Sequence, residues 1–264
     1  MIIIKIGGGK NLNWEGIGED IKNLDEEVVV IHGANVFMSD ISQKLGVLEK
    51  IITSPSGFTS RYTTPQVMDV LTMVYSGLVN KKIVAAFQKH GVNAVGLTGA
   101  DGRLWLGKRK EVIYAKEGVK IKAIRDSLTG NVESVNAKLL GLLIKNGYTP
   151  VVTIPAITKE GELINVDNDR AVAVMAKALS ASKVVSLFEA PGLLKDVNNE
   201  SSKISLIDKE KLDSFVEKAK GRIKKKLLGA KEAIIVGVKQ VYFGDGRIAH
   251  PVREALLGKG TVIQ

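Results

Sequence analysis

Chemistry in this 264-residue chain can be sought first at Lys5. It stands in an otherwise apolar run, Met1-Ile2-Ile3-Ile4-Lys5-Ile6, directly ahead of Gly7-Gly8-Gly9. Consecutive glycines leave backbone N–H groups open to an anion, because no Cβ blocks the approach. A lysine at the carboxyl edge of a buried strand calls for an anionic partner, and phosphate fits that demand. The segment is neither a GxxxxGK[ST] loop nor a GxGxxG fingerprint with an acidic residue about 20 positions on. Taken alone, it is explained equally well by a tight turn with a lysine snorkelling to the edge.

A second apolar run ends in the same way, as Val29-Val30-Ile31-His32-Gly33-Ala34-Asn35. Its small residues could accept another anion or a developing oxyanion, while His32 reads as a packed structural residue rather than a general base. The third candidate is Asn165-Val166-Asp167-Asn168-Asp169, which opens an alanine-rich helix. Helix capping accounts for one such residue but not for the whole cluster, and a carboxylate there could orient lysines around a transferring group. The fourth is Gly221-Arg222-Ile223-Lys224-Lys225-Lys226, followed by Leu227-Leu228-Gly229-Ala230. Such a basic run is usually a solvated or nucleic-acid-binding face. The small residues after it allow close packing that could turn one lysine inward.

The elements that must position these groups alternate in type. Short apolar runs at 1–6, 26–35, 93–102, 149–158 and 182–188 alternate with helix-period segments, the pattern of βαβ units and a mainly parallel sheet. Residues 67–91 read as one long helix or a pair stopped by Gly91. The charged stretch 103–134 reads as an antiparallel hairpin region laid over the sheet. Helices are expected at 136–146, 171–181 and through most of 209–234, with 233–238 and 260–264 closing the sheet as strands. No linker rich in Pro, Gly or Ser divides the chain, so a single domain with two functional halves is expected, the first running to about residue 178.

Composition narrows the options. The chain has no cysteine, which removes disulfides, thiolate nucleophiles and Cys-ligated metal centres. His32, His90 and His250 make no ligand pattern, so no protein-bound metal centre is expected. The opening apolar run is too short to span a membrane, and the longest apolar helical stretch, 171–181, is broken by Lys177. A soluble, cytoplasmic protein is expected. The formal net charge of +10 favours acidic partners, although a lysine-rich solvated surface gives the same number.

The four segments, with a hairpin between the second and third, resemble in this order the amino acid kinase family, specifically its acetylglutamate kinase branch. The matching residues are Lys5-Ile6-Gly7-Gly8, His32-Gly33-Ala34-Asn35, a hairpin Ser60-Arg61-Tyr62-Thr63, Asn165 to Asp169, and Gly221 to Lys226. Each motif is weak singly; the ordered set, covering nearly the whole chain, is specific. The resemblance implies an α/β fold, a three-layer αβα sandwich with an open, mainly parallel eight-stranded sheet. It implies transfer of the γ-phosphoryl group of ATP to a side-chain carboxylate, with Mg²⁺ held chiefly through the nucleotide phosphates.

By that resemblance, Lys5 and Lys226 offset charge on the transferring and leaving oxygens, and Asp169 orients both lysines. Gly33, Ala34, Asn35, Arg61 and Asn165 bind the acceptor; Gly7, Gly8 and Gly192 bind phosphate or ATP. The chain departs from the family where T-D-V-P-G-V is replaced by Phe188-Glu189-Ala190-Pro191-Gly192-Leu193 and H-G-G-G by His32-Gly33-Ala34-Asn35. The S-R-Y-T hairpin and the G-R-I-K-K-K run are most similar to the branch acting on aminoadipate or glutamate attached to LysW, a small acidic amino-group carrier protein. That partner would give a role to Lys108-Arg109-Lys110, Lys120, Lys122 and Lys224-Lys225. The resemblance further implies a homodimer, without nucleic-acid or membrane partners. The alternatives are an N-acetylglutamate kinase and, in another class, a nonenzymatic basic module that binds nucleic acid. Only charge supports the last, since no stacking platform is visible among 5% aromatic residues.

Overall fold

A computed structural model describes residues 1–118, 120–219 and 221–264, apart from the Arg222 side chain. Val119 and Lys220, which fall in the expected hairpin region and the last expected helical stretch, lie outside the described residues. Strand β1 (Ile2–Ile6) is buried along its whole length, Lys5 included. The chain leaves it through the glycines and enters α1 (Trp14–Lys22), where the Asn13 side chain caps Gly16 N–H. Strand β2 (Val28–His32) is equally buried and turns at Gly33-Ala34 into α2 (Asn35–Lys44).

A short hairpin of β3 (Ile51–Thr53) and β4 (Thr59–Arg61) precedes a long helical rod. Thr64 caps α3 (Pro65–Thr72), which passes through a π-helical turn, Met73–Val79, into α4 (Asn80–Lys89). Gly91, at φ +76°, ends the rod as expected. Strand β5 (Ala94–Thr98) follows. The charged middle then folds as β6 (Trp105–Arg109), β7 (Ile113–Glu117), β8 (Lys120–Ile124) and β9 (Gly130–Val135). In it β6 pairs antiparallel with β9, and β7 with β8.

Helix α5 (Ala137–Lys145) leads to β10 (Thr149–Thr153) and the short strands β11 (Ala156–Ile157) and β12 (Leu163–Ile164). The remaining elements are α6 (Asn168–Leu179), β13 (Lys183–Phe188), β14 (Leu206–Ile207), α7 (Leu212–Lys218), α8 (Gly221–Ile235), β15 (Gln240–Asp245), α9 (Pro251–Leu256) and β16 (Thr261–Ile263).

Two expectations are corrected. The apolar run 233–238 is not a strand: α8 continues to Ile235, Gly237 turns the chain at φ +107°, and the strand is Gln240–Asp245. A short apolar run suits either element. Here Leu227, Ala230 and Ala233 recur at helical spacing as one buried face, and that face decides. The longest apolar helix is the Pro65–Lys89 rod rather than 171–181. By length and composition it could cross a membrane, and one face of it, with Val67, Val70, Leu71, Val74 and Ile83, is buried inside the protein.

The eight-stranded sheet has the order β14-β16-β15-β13-β1-β2-β10-β5, and only the β15–β16 pairing is antiparallel. From β1 the chain extends the sheet through β2, whereas from β13 it extends it the opposite way through β15. The carboxyl ends of β1, β2 and β13 therefore flank a topological switch point, where open α/β sheets form their ligand crevice. Successive side chains alternate between the sheet's faces. Lys5, Ser186 and Phe243 stand in register on the face covered by α6 and α8. Ile6, His32 and Leu187 belong to the face that α9 and the rod cover. A satellite cluster of Ile52, Ile113, Ala115, Ile124 and Tyr62 fastens the β3–β4 and β7–β8 hairpins together.

Two contacts hold the strand ends together. Gly8 lies so close to the second turn that a Cβ on it would sit 2.5 Å from the Asn35 nitrogen, and Val36 N–H donates to the Gly8 carbonyl. Behind the turn His32 is fully buried. Its Nδ1 lies 3.2 Å from the Gly33 carbonyl and its Nε2 3.1 Å from Asn80 Nδ2, which also donates to the Val151 carbonyl. This pattern fits a neutral ring protonated at Nδ1, with Nε2 accepting from Asn80. Burial pulls the imidazole pKa down to about 4, with the nearby Lys81 charge acting in the same direction and the Gly33 carbonyl opposing.

Because the unfolded chain takes up this proton below about pH 6.5 and the folded protein does not until about pH 4, stability falls as pH drops through that window. The loss reaches about 3 kcal/mol at the acid end. NMR titration is expected to find the His32 ring neutral down to about pH 4, and urea unfolding to show the loss. A His32 titrating near pH 6.5 contradicts the packing described. Gly8→Ala is expected to cost about 1–3 kcal/mol through overpacking. In contrast, Gly141→Ala, in α5 with open space around its Cβ, is expected to stabilise by about 0.5–1 kcal/mol. Denaturant melts of the two variants check both signs.

Candidate active site

The centre of the crevice is an ion pair: Lys5 Nζ lies 2.7 Å from Asp169 Oδ1, with the lysine side chain only 9% exposed. Each residue is placed by the end of an element. Lys5 is the penultimate residue of β1, and Asp169 lies in the first turn of α6, whose capping carboxylate, Asp167, accepts Asp169 N–H at 2.9 Å. An acidic residue in a helix's first turn also interacts favourably with the helix dipole. Burial alone would raise the Asp169 pKa. The charges of Lys5 and Lys226, the hydrogen bond from Lys5, and the Lys225 charge reverse that and hold the carboxyl well below the usual carboxylate range.

Lys226 arrives from α8. Gly229, one turn later, faces the start of α6, and a Cβ there would sit 3.0 Å from the Asp169 carbonyl oxygen. The missing side chain lets the two helices meet closely, which brings Lys226 to the wall of the same cavity as Lys5 and Asp169. Its ammonium stands 4.2 Å above the Phe188 ring, a cation–π contact at the end of β13. Lys225 points elsewhere, toward the Thr59 carbonyl at 2.6 Å and Asp167 at 3.5 Å, tying α8 to the β3–β4 hairpin.

The glycine turns differ in which N–H groups the protein itself engages. Gly7 N–H donates to the Leu187 carbonyl at 2.8 Å and Gly33 N–H to the Ile6 carbonyl at 2.9 Å. The parallel ladders run one residue past the strands and consume both donors. The N–H groups of Gly8 and Gly9 donate to no protein acceptor among the described residues, and they leave donors for an anion. The Glu189 carboxylate folds over Gly9 and accepts Asn11 N–H at 2.8 Å. Gly192 is not part of the cavity around the lysines. It lies against Thr261 where the loop after β13 crosses β16, and Leu193 N–H donates to Thr261 Oγ1.

Beside the second turn the structure gathers a polar group that the sequence only partly reveals. Tyr75, placed by the π-helical turn, is 3% exposed and donates from its hydroxyl to Asn35 Oδ1 at 2.7 Å. Burial raises its pKa, while the Arg61 charge and the Ala34 N–H beside it oppose the rise. Arg61 is not a free cation: its Nε lies 2.9 Å from Glu49 Oε1, although it is not aligned for a hydrogen bond. Asn165 Nδ2 donates to Thr63 Oγ1 at 3.0 Å, and Asn168 Nδ2 to the His32 carbonyl at 2.9 Å. Asn168 Oδ1 is buried without a partner. Sequence reasoning missed Tyr75 and Glu49, because neither carries a motif; only the topology brings them to Arg61 and Asn35.

Of the basic residues given to a partner, Arg109 is committed internally. It donates to the Ser127 and Arg125 carbonyls and pairs with Glu162 at 2.7 Å. Lys108, Lys120 and Lys122 remain exposed. Among the described residues no group of three or more His, Asp or Glu could hold a metal ion. Two ammonium groups and two unengaged N–H groups at a strand edge suit a polyphosphate, which can carry its own magnesium.

The model of the amino acid kinase family matches residues 1–245. The chain is 40% identical to the [LysW]-aminoadipate kinase of Thermus thermophilus over 269 aligned residues, covering 100% of both chains. It is 43% identical to the [LysW]-aminoadipate kinase of Deinococcus radiodurans, covering 100% of this chain and 91% of that one. Among solved structures, the N-acetylglutamate synthase of Neisseria gonorrhoeae superposes with a TM-score of 0.80 at 19% identity. That match covers 99% of this chain and 58% of the longer one, and it speaks for the fold alone. On the family match and these full-length relatives, the chain belongs to the amino acid kinase family.

Proposed function

We propose that this protein transfers the γ-phosphoryl group of ATP to the side-chain carboxylate of aminoadipate or glutamate carried on LysW, giving an acyl phosphate and ADP in the cytoplasm. The observation that carries the reading is the Lys5–Asp169 pair, with Lys226 on the same cavity wall, at the sheet's switch point. Full-length identity to kinases of LysW-bound aminoadipate supports the choice of acceptor.

The acceptor carboxylate is already an anion at neutral pH, so the attack needs no general base. A carboxylate oxygen bonds to the γ-phosphorus while the bond to the β,γ-bridging oxygen breaks, and its electron pair leaves with ADP. The difficulty is electrostatic, since one anion must approach another. Phosphoryl transfer asks the protein mainly for alignment and charge neutralisation. Lys5 offsets charge on the transferring oxygens, and Lys226 charge on the leaving side. Asp169 keeps both ammonium groups in place and leaves the trio with net positive charge. Gly8 and Gly9 N–H groups bind phosphoryl oxygens; Gly7 and Gly33 serve by holding the strand ends in register. Magnesium, carried on the phosphates, would add charge neutralisation there.

In this reading the half up to about residue 178 holds the acceptor and the half from about 179 holds the nucleotide. Asn35, Tyr75, Arg61 and Asn165 line the acceptor side, with Arg61 held by Glu49 to meet the free α-carboxylate. Exposed Lys108, Lys120 and Lys122 on the hairpins supply positive charge to guide an acidic carrier.

The test is ATP-dependent ADP release with LysW-aminoadipate, LysW-glutamate and free N-acetylglutamate. Turnover is expected with a carrier-linked acceptor; turnover with N-acetylglutamate alone overturns the acceptor assignment. Lys5→Ala is expected to lower kcat by about 100-fold or more, as removal of transition-state charge stabilisation does. Arg61→Ala is expected chiefly to raise the KM for the acceptor, because it acts on ground and transition states alike. An unchanged kcat in Lys5→Ala contradicts the phosphoryl-site assignment.

A further inference from the structure

Ser186 interrupts the apolar run Lys183-Val184-Val185-Ser186-Leu187-Phe188 much as Lys5 interrupts the first strand. The two are register partners across β1 and β13, so their side chains share one face of the sheet. Ser186 is 5% exposed, and its Oγ is buried with no hydrogen-bond partner. A buried hydroxyl in a native protein nearly always finds a partner in protein or ordered water.

The surroundings say what that partner serves. Ser186 lines a recess of about 20 Å³ together with Lys5, Asp169 and Lys226, beside the apolar Val172, Ala230 and Phe243. That volume admits one water molecule, which needs two to four polar partners. Ser186 Oγ, the Lys5 ammonium, the Asp169 carboxylate and the Lys226 ammonium provide them. Lys5 has three N–H donors and places one on Asp169.

We propose that Ser186 is a positioning residue for the phosphoryl-transfer lysines, its hydroxyl anchoring a single cavity water that fixes the Lys5 ammonium against Asp169. The inference rests on the phosphoryl-transfer reading of the site and is independent of which acceptor is used. No other residue at this wall offers a neutral group that can both donate and accept, which is what a bridge between an ammonium and a carboxylate requires.

Ser186→Ala removes the hydroxyl with little change of shape, and Ser186→Thr retains it. In Ser186→Ala, kcat is expected to fall about tenfold, roughly what one neutral hydrogen bond contributes. KM for ATP and acceptor and the Tm should stay at wild-type values, and Ser186→Thr should restore kcat. In ¹⁵N-lysine NMR, the Lys5 ammonium signal, assigned by its absence in Lys5→Met, should be protected from solvent exchange in the wild type and lose that protection in Ser186→Ala.

Wild-type kcat together with an unchanged ammonium signal in Ser186→Ala overturns the proposal. So does a fall in kcat that follows a fall in Tm and is not restored by threonine. If the wild type shows no phosphoryl transfer, the kinase reading fails by itself, and the ammonium signal still decides whether Ser186 positions Lys5.

Discussion

A charged lysine in the central strand of a sheet calls for a compensating carboxylate beside it, and Asp169 supplies one to Lys5. Removing one member of a buried pair costs about 3–5 kcal/mol, because the other charge is left without compensation. Much of the architecture can be read as a consequence. The α6 helix must begin above the end of β1, so the chain must return from β12 through Asn165 and the Asp167 cap to that point. The α8 helix must approach α6 without a side chain at Gly229, or Lys226 could not share the cavity wall. The Phe188 ring then gives the Lys226 ammonium a second, softer partner at the end of β13.

The chemistry proposed here asks for little proton transfer at the centre. A carboxylate nucleophile needs no proton removed, and the nearby histidine is kept neutral by burial and fully engaged with Gly33 and Asn80. His32 supports the turn that Gly8 touches, and its contribution is mechanical. In the proposed reading, rigid backbone contact between the first and second turns sets the separation of phosphoryl donor and acceptor, on which a reaction limited by alignment depends.

How far the sequence revealed this depended on the kind of signal. Lys5 stood out as a charge inside an apolar strand, which alone fits a snorkelling lysine equally well; the ordered motifs singled out Asp169 and Lys226, and the structure brings all three to one cavity wall. The sheet was legible from alternation of apolar runs and helical segments. The run 233–238 was not, since its five apolar residues fit a helix end as well as a strand, and only the buried spacing of Leu227, Ala230 and Ala233 separates the two. Tyr75 and Glu49 were invisible because their roles come from a π-helical turn and from tertiary contact across the hairpin. The donor groups of Gly7 and Gly33 looked available in the sequence because hydrogen-bond ladders leave no trace in residue type beyond the strand's last apolar residue. Ser186 had the same kind of signal as Lys5, a polar residue in an apolar run, without the charge that draws attention to it.

The central claim is that transfer occurs between the ammonium groups of Lys5 and Lys226, over the N–H groups of Gly8 and Gly9. A crystal structure with magnesium, ADP, aluminium fluoride and the carrier-linked acceptor tests it most directly. The account predicts a planar fluoroaluminate in line between ADP and the acceptor carboxylate, touched by both lysines, with Asp169 still paired to Lys5. A fluoroaluminate bound away from Lys5, or a Lys226 side chain turned out of the site, would contradict it.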